Sequence, residues 1–305
     1  MPRERILSGE ALPDAAPSPA ATREALGKLR DDEIALRPRH MHEMVGQRKV
    51  AERIAIAVDA ARKRKEPLGH ILFDGPPGLG KTTFATCIPR DLGVAIQITS
   101  GAVLAAPKDL LPYLTNAEAG SVLFIDEIHR LPKAVEEFMY PAMEDFRVDI
   151  TLGEGVGART VTMRLRPFTV IGATTRSGML SAPLRDRFQI REHLEFYSIE
   201  ELTEIVRRNA AKLKMSLADA AATKIATCSR GTPRVANNRL RWVRDYATSK
   251  IGGPATLEVA VAALDMLGID QLGLDPQDRK YLETILRVFH GGPGGIEAIA
   301  HTMNL

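Results

Sequence analysis

Residues 75–83 read Gly-Pro-Pro-Gly-Leu-Gly-Lys-Thr-Thr, with an apolar run at 70–73 before them and a helical pattern after them. Glycines at these positions let backbone N–H groups curl around an anion, and the helix that follows adds the positive end of its dipole. Lys81 is placed to reach the β- and γ-phosphates of a nucleoside triphosphate, and Thr82 to bind Mg²⁺. A glycine-rich turn with an incidental lysine needs neither the strand nor the helix. Both are there, so the stretch is read as a phosphate-binding loop.

Outward from the loop, further short apolar runs lie at 94–98, 121–125 and 168–172, with helical stretches between most of them. Strands alternating with helices predict an α/β fold with a parallel sheet covered on both faces. Upstream, Val50, Ile54, Ala57, Val58 and Ala61 keep helical spacing through 50–65, and the basic run 62–65 suits a helix C-terminus. One insertion breaks the rhythm: Val148, Ile150 and Leu152 alternate with polar residues, 153–157 supply a turn, and Val161, Met163 and Leu165 alternate again. That pattern predicts a β-hairpin over 148–165. Pro89 is expected to end or kink the helix after the loop early.

Beyond Tyr197 the spacing is helical throughout, at 199–214, 217–228, 233–250 and 257–267, which predicts a small four-helix domain. A glycine-marked linker at 268–273 leads to Asp275-Pro276, a helix start with Asp as cap and Pro in the first turn. That helix should end at Gly291-Gly292, and a second begins near Gly295. Residues 1–35, with Pro13, Pro17 and Pro19 among alanines and then a charged stretch, read as a disordered extension with room for a short helix at 22–29.

At 305 residues the chain is long enough for two domains of ~150 residues, or three small ones. It is 45% apolar and 26% charged, with a net charge of +3, so no whole-molecule field demands a nucleic-acid partner. Cys87 and Cys228 are too few and too far apart for a disulfide framework, as suits a reducing compartment. No apolar run approaches ~18 residues, and the N-terminus lacks a signal-peptide pattern. The expectation is a soluble, cytoplasmic protein.

Three further motifs carry chemistry. The run Ser121-Val-Leu-Phe-Ile-Asp126-Glu127 ends an apolar strand in two carboxylates. Such acids are often merely solvated, but beside a phosphate loop Asp126 can hold Mg²⁺ and Glu127 can polarise an attacking water. Gly172-Ala-Thr-Thr175-Arg176 ends another strand, and a hydroxyl there meets the γ-phosphate if this strand lies between the other two. Spacing alone equally allows a threonine-rich turn. Leu184-Arg-Asp-Arg187-Phe188 offers two arginines that a solvated helix end would also explain. In Gly231-Thr-Pro-Arg234 the arginine opposes the helix dipole, which hints at a phosphate partner.

Together these segments resemble the RuvB family, AAA+ motors of Holliday junction branch migration. The likeness runs from about Leu36 onward, through Leu36-Arg-Pro-Arg, Asp74–Thr83, Leu123-Phe-Ile-Asp-Glu-Ile-His-Arg130, Tyr140-Pro-Ala-Met-Glu-Asp-Phe146, Ile171–Arg176, Pro183–Phe188, Leu194-Glu-Phe-Tyr197 and Gly231–Arg234. It implies an AAA+ ATPase domain at 36–196, a helical lid at 197–270 and part of a winged-helix DNA-binding domain at 271–305. It also implies ATP and Mg²⁺ as ligands, with Thr82 and Asp126 on the metal and Lys81, Asp126, Glu127, Thr175 and Arg187 in catalysis. Thr175 resembles the γ-phosphate sensor, Arg187 the arginine finger acting on a neighbouring subunit, and Arg234 the lid arginine that reports nucleotide state. Leu36, Arg37, Gly78, Gly80, Thr83, Glu144, Asp145, Phe146 and Tyr197 match positions lining the nucleotide pocket.

The implied partners are further copies in a hexameric ring, RuvA through the 148–165 hairpin, RuvC in the resolvasome, and duplex DNA. The hairpin's apolar alternation would also serve core packing. The match to the winged-helix pattern stops at Leu305, before the family's basic DNA-contacting residues, and Gly294-Gly295 replaces a more apolar stretch, so the last two helices are expected to pack poorly. Each lost phosphate contact would weaken DNA binding. The alternatives are therefore a ring component that regulates a motor without moving DNA, or a clamp-loader-like AAA+ remodeller.

Overall fold

Strand β1 (Ile71–Asp74) sits inside a five-stranded sheet with β2 (Ile96–Ser100), β3 (Val122–Asp126), β6 (Thr169–Thr174) and β7 (Ile190–His193). The order is β2-β3-β6-β1-β7 and every neighbouring pair is parallel. The computed structural model describes residues 35–152 and 159–304, so the expectations for the N-terminal extension, its short helix and the 153–157 turn fall outside the described residues. The chain divides into two compact units, Met1–Arg37 and Pro38–Leu305.

Side chains of the central strands alternate between two apolar layers. Ile71, Phe73, Val122, Phe124, Ile171 and Ala173 join α1 (Arg48–Arg64) and α2 (Lys81–Leu92) on one face. Leu72, Leu123, Ile125 and Val170 join α3 (Pro107–Thr115) and α4 (Lys133–Glu144) on the other. This is the doubly covered parallel sheet that the apolar runs predict. Each strand begins one or two residues later than its apolar run. The ladder continues into the polar residues that follow, so Asp74, Asp126 and Thr174 are the last residues of β1, β3 and β6.

Two details differ from expectation. Helix α2 does not stop at Pro89 but runs to Leu92, where Gly93 caps it in the left-handed region. The missing bond and ring clash cost ~3 kcal/mol or more, yet Phe84, Ala85, Cys87, Ile88 and Pro89 are all buried there. Packing outweighs the local penalty. Strand β7 has no apolar run at all: its one buried residue is Glu192, which forms an ion pair with Arg53 of α1.

The hairpin is present as antiparallel β4 (Arg147–Leu152) and β5 (Arg159–Arg164), with Val148 opposite Met163 and Ile150 opposite Val161. Val148 and Leu165 are buried in the core, whereas Val161 is exposed. The short helix α5 (Ala182–Asp186) follows β6 and is N-capped by Ser181. Next come α6 (Ile199–Lys212), α7 (Asp219–Thr227), α8 (Pro233–Tyr246) and α9 (Leu257–Met266), the expected four helices. Helix α8 passes into a π turn at Ala247–Ile251. Asp275 then caps α10 (Pro276–Arg287) through a capping box, and α11 (Ile296–Met303) packs on it. Leu272, Tyr281, Leu286, Val288 and Ile296 are exposed around this pair, as expected for two helices with a thin core. Among the described residues, no helix is long and apolar enough to cross a membrane.

Candidate active site

The ends of β1, β6 and β3 lie side by side, so the loops that leave them share one edge of the sheet. From β1 springs the phosphate loop, which enters α2 through Gly80 at φ 106°. Gly80 has no side chain to cap the helix, so the first-turn N–H groups are available to an anion. Gly78, at φ 81°, has no room for a Cβ: one built there lies 2.9 Å from both Arg234 Cβ and Thr232 Cγ2. The four-helix segment thus closes directly on the phosphate loop, and Arg234 N–H faces Gly78 O at 3.4 Å.

Lys81 is buried and donates from Nζ to the carbonyls of Gly75 and Pro76, at 2.7 and 2.8 Å. Burial lowers its pKa, and the nearby charges of Glu127 and Asp126 oppose that shift. Asp126 moves the other way. Burial raises its pKa, the Glu127 charge adds to the rise, and Lys81 and Arg234 counter it, as does the N–H of Glu127, donated to Asp126 Oδ1 at 3.0 Å. Lys81, Asp126, Glu127 and Arg234 therefore sit within one electrostatic neighbourhood. Thr82 and Thr83 are half-buried in the first turn of α2.

Strand β6 lies between β3 and β1, the arrangement on which the threonine reading depended. Thr175 Oγ1 donates to Glu127 Oε2 at 3.1 Å. Sequence reasoning gave His129 no role, although it stands two residues after Glu127. Its Nδ1 lies 3.2 Å from Glu127 Oε2 and 2.9 Å from Thr174 Oγ1. Tyr197 is buried against the loop, its hydroxyl donating to Leu79 O at 3.1 Å and its N–H to Gly231 O at 2.9 Å. Burial pushes its phenol well above the ordinary value.

The remaining residues form a second cluster. Arg187 stacks its guanidinium on Tyr140, 3.9 Å from the ring centroid, pairs with Glu144 at 3.1 Å and donates to Pro183 O at 2.6 Å. Among the described residues its buried Nε has no partner. Asp145 pairs with Arg147, and Phe146 meets Phe168 edge-on. None of these contacts involves the phosphate loop. Leu36, which is buried, and Arg37 belong to the first unit.

No three or more His, Cys, Asp or Glu converge on a metal site among the described residues. Mg²⁺ is commonly held by one or two protein groups together with substrate phosphates. A cation beside Asp126 would also offset the burial of its carboxylate.

Comparison with known proteins places these features. The Holliday junction DNA helicase RuvB P-loop domain matches residues 36–194, the RuvB AAA lid domain residues 197–270, and the RuvB C-terminal winged helix domain residues 271–305. A protein of Rhodopirellula baltica, the Holliday junction branch migration complex subunit RuvB, is 65% identical over 275 residues, covering 90% of this chain and 75% of that protein. Thermotoga maritima RuvB, a Holliday junction branch migration motor, superposes with a TM-score of 0.80 at 44% identity, over 89% of this chain and 86% of its own. A single-residue mutant of that protein gives a TM-score of 0.81 at 45% identity, over 88% and 86%.

Proposed function

The chain belongs to the RuvB family of Holliday junction branch migration motors, and from that premise we propose that it hydrolyses ATP to move junctions in DNA recombination and repair. It acts in the cytoplasm as one subunit of a homohexameric ring on duplex DNA, with RuvA docked on the 148–165 hairpin and RuvC joining the complex. Residues 36–196 serve as the ATPase domain, 197–270 as the lid and 271–305 as the winged-helix segment. The observation that carries this reading is the convergence of Lys81, Asp126, Glu127, Thr175 and Arg234 at one sheet edge.

In the reaction, Lys81 Nζ exchanges its two loop carbonyls for β- and γ-phosphate oxygens, and the α2 N-terminus receives the rest of the phosphate charge. Thr82 and Asp126 would hold Mg²⁺, which neutralises charge building on the phosphates when bound. Glu127 accepts the proton of the attacking water, and Thr175 reports the γ-phosphate. Glycines 78 and 80, Thr83 and Tyr197 line the nucleotide. Glu144, Asp145 and Phe146 line the nucleotide pocket, and Arg187 serves the ATP of the adjoining subunit. Fingers of this kind contribute ~10³–10⁵ in rate. Arg234, held beside Gly78, transmits nucleotide state to the lid.

Steady-state ATP hydrolysis and binding of a fluorescent ATP analogue, measured on wild type, Lys81→Ala and Glu127→Gln, test the assignment. Lys81→Ala should lose both binding and turnover. Glu127→Gln should bind the analogue normally while kcat falls ~10²–10⁴-fold. Wild-type turnover in Glu127→Gln would refute the base.

A further inference from the structure

Two side chains from different elements approach one oxygen of Glu127. Thr175 Oγ1 reaches Oε2 at 3.1 Å from the end of β6, and His129 Nδ1 reaches the same atom at 3.2 Å from the turn after β3. The His129 side chain is 6% exposed, that of Glu127 35%. Nδ1 is also 2.9 Å from Thr174 Oγ1, a fully buried hydroxyl that accepts the N–H of Arg176. An Nδ1 lone pair aimed at a carboxylate would be repelled, so the ring proton sits on Nδ1, directed between Glu127 Oε2 and Thr174 Oγ1.

The turn that carries the ring is fixed. Ile128 is wholly buried, Arg130 N–H donates to Glu127 O at 2.9 Å, and Leu131 N–H to Ile128 O at 3.1 Å. One hydrogen bond leaves a carboxylate free to rotate about it. The His129 ring, bonded to Thr174 Oγ1 and with Nδ1 3.2 Å from the same oxygen, bears on it from another direction and restrains that rotation by charge and contact. Oε1, by contrast, has no donor among the described residues.

From these contacts we infer that His129 is a positioning residue for hydrolysis: with Thr175 it holds Glu127 by Oε2 and so presents Oε1 to the attacking water. This rests on the reading of Glu127 as the base. The proton leaves water for Oε1, and His129 takes no part in the transfer beyond holding its partner in place. Thr174 supports the ring from behind, as outer-shell groups support a ligand or base.

The test is steady-state ATP hydrolysis by the full chain carrying His129→Leu or His129→Asn, each alone and combined with Glu127→Gln, with analogue binding measured alongside. Asn keeps an N–H donor near the place of Nδ1; Leu has none. For His129→Leu, kcat should fall ~10²-fold, the cost of a misplaced reacting group, with KM and analogue affinity unchanged. His129→Asn should recover to within ~10-fold of wild type. In the Glu127→Gln background neither change should lower the rate further. Unchanged kcat in His129→Leu, a parallel loss of affinity, or no advantage of Asn over Leu would overturn the inference alone. No turnover in wild type, or wild-type turnover in Glu127→Gln, would overturn the site reading and this inference with it.

Discussion

Glu127 adopts φ 47°, in the left-handed region that residues with a Cβ enter only when their surroundings hold them there. Here the surroundings include Gly101, whose N–H donates to Asp126 O at 2.8 Å and whose missing Cβ would stand 2.5 Å from Glu127 O. That oxygen and Leu131 N, 3.2 Å from the same point, are main chain, so neither can give way cheaply. Gly101→Ala should therefore displace the Glu127 peptide and lower kcat ~10²-fold while analogue binding at Lys81 persists. A variant with wild-type kcat would show that the carboxylate tolerates the shift. The acids themselves were legible in the sequence because they end an apolar run beside a phosphate loop. His129 was not, since its meaning depends on Thr174 and Thr175, which only the sheet brings near.

At the scale of elements, His70 joins three of them. Its Nε2–H donates to Met143 O at the end of α4, and its Nδ1 accepts the N–H of Val170 in β6, at 3.0 and 2.9 Å, from the residue that precedes β1. Burial lowers its pKa, partly offset by the Met143 bond. The native ring stays neutral while the unfolded ring takes a proton near ~6.5. Its contribution is thus complete above that pH and is lost as pH falls toward the lowered native value. Thermal unfolding followed between pH 7.5 and 5.5, pH values on either side of ~6.5, should show a falling Tm in wild type and a flatter slope in His70→Gln. Equal slopes would mean that His70 is not the titrating group. Apolar runs were enough to find the inner strands and the four helices after Tyr197. They could not find β7, an edge strand whose buried residue is a paired glutamate, nor judge Pro89, whose cost is met by packing that the local sequence does not display.

For the whole molecule, the site residues fall into two clusters. The phosphate loop is closed by Tyr197 and by the start of α8, so under the proposed function a change at the γ-phosphate would reach the lid through contacts already made. Arg187 is pre-set by Tyr140, Glu144 and Pro183, with Ser181 capping the helix that leads into it and donating to buried Glu136 at 2.6 Å. Three of these contacts, to Tyr140, Glu144 and Glu136, join α4 to residues flanking α5 that spacing could not connect, although the resemblance had named Arg187 and Glu144 separately. At the other end, Arg230 pairs with Asp278 and Arg239 donates to Gly273 O, tying the lid to the start of α10. A branch-migration motor of the proposed kind couples ATP turnover to junction DNA. The most direct measurement of that coupling is steady-state ATP hydrolysis with and without four-way junction DNA, each with and without RuvA. Turnover should rise several-fold when both are present, whereas substantial basal turnover that neither changes would contradict the motor reading.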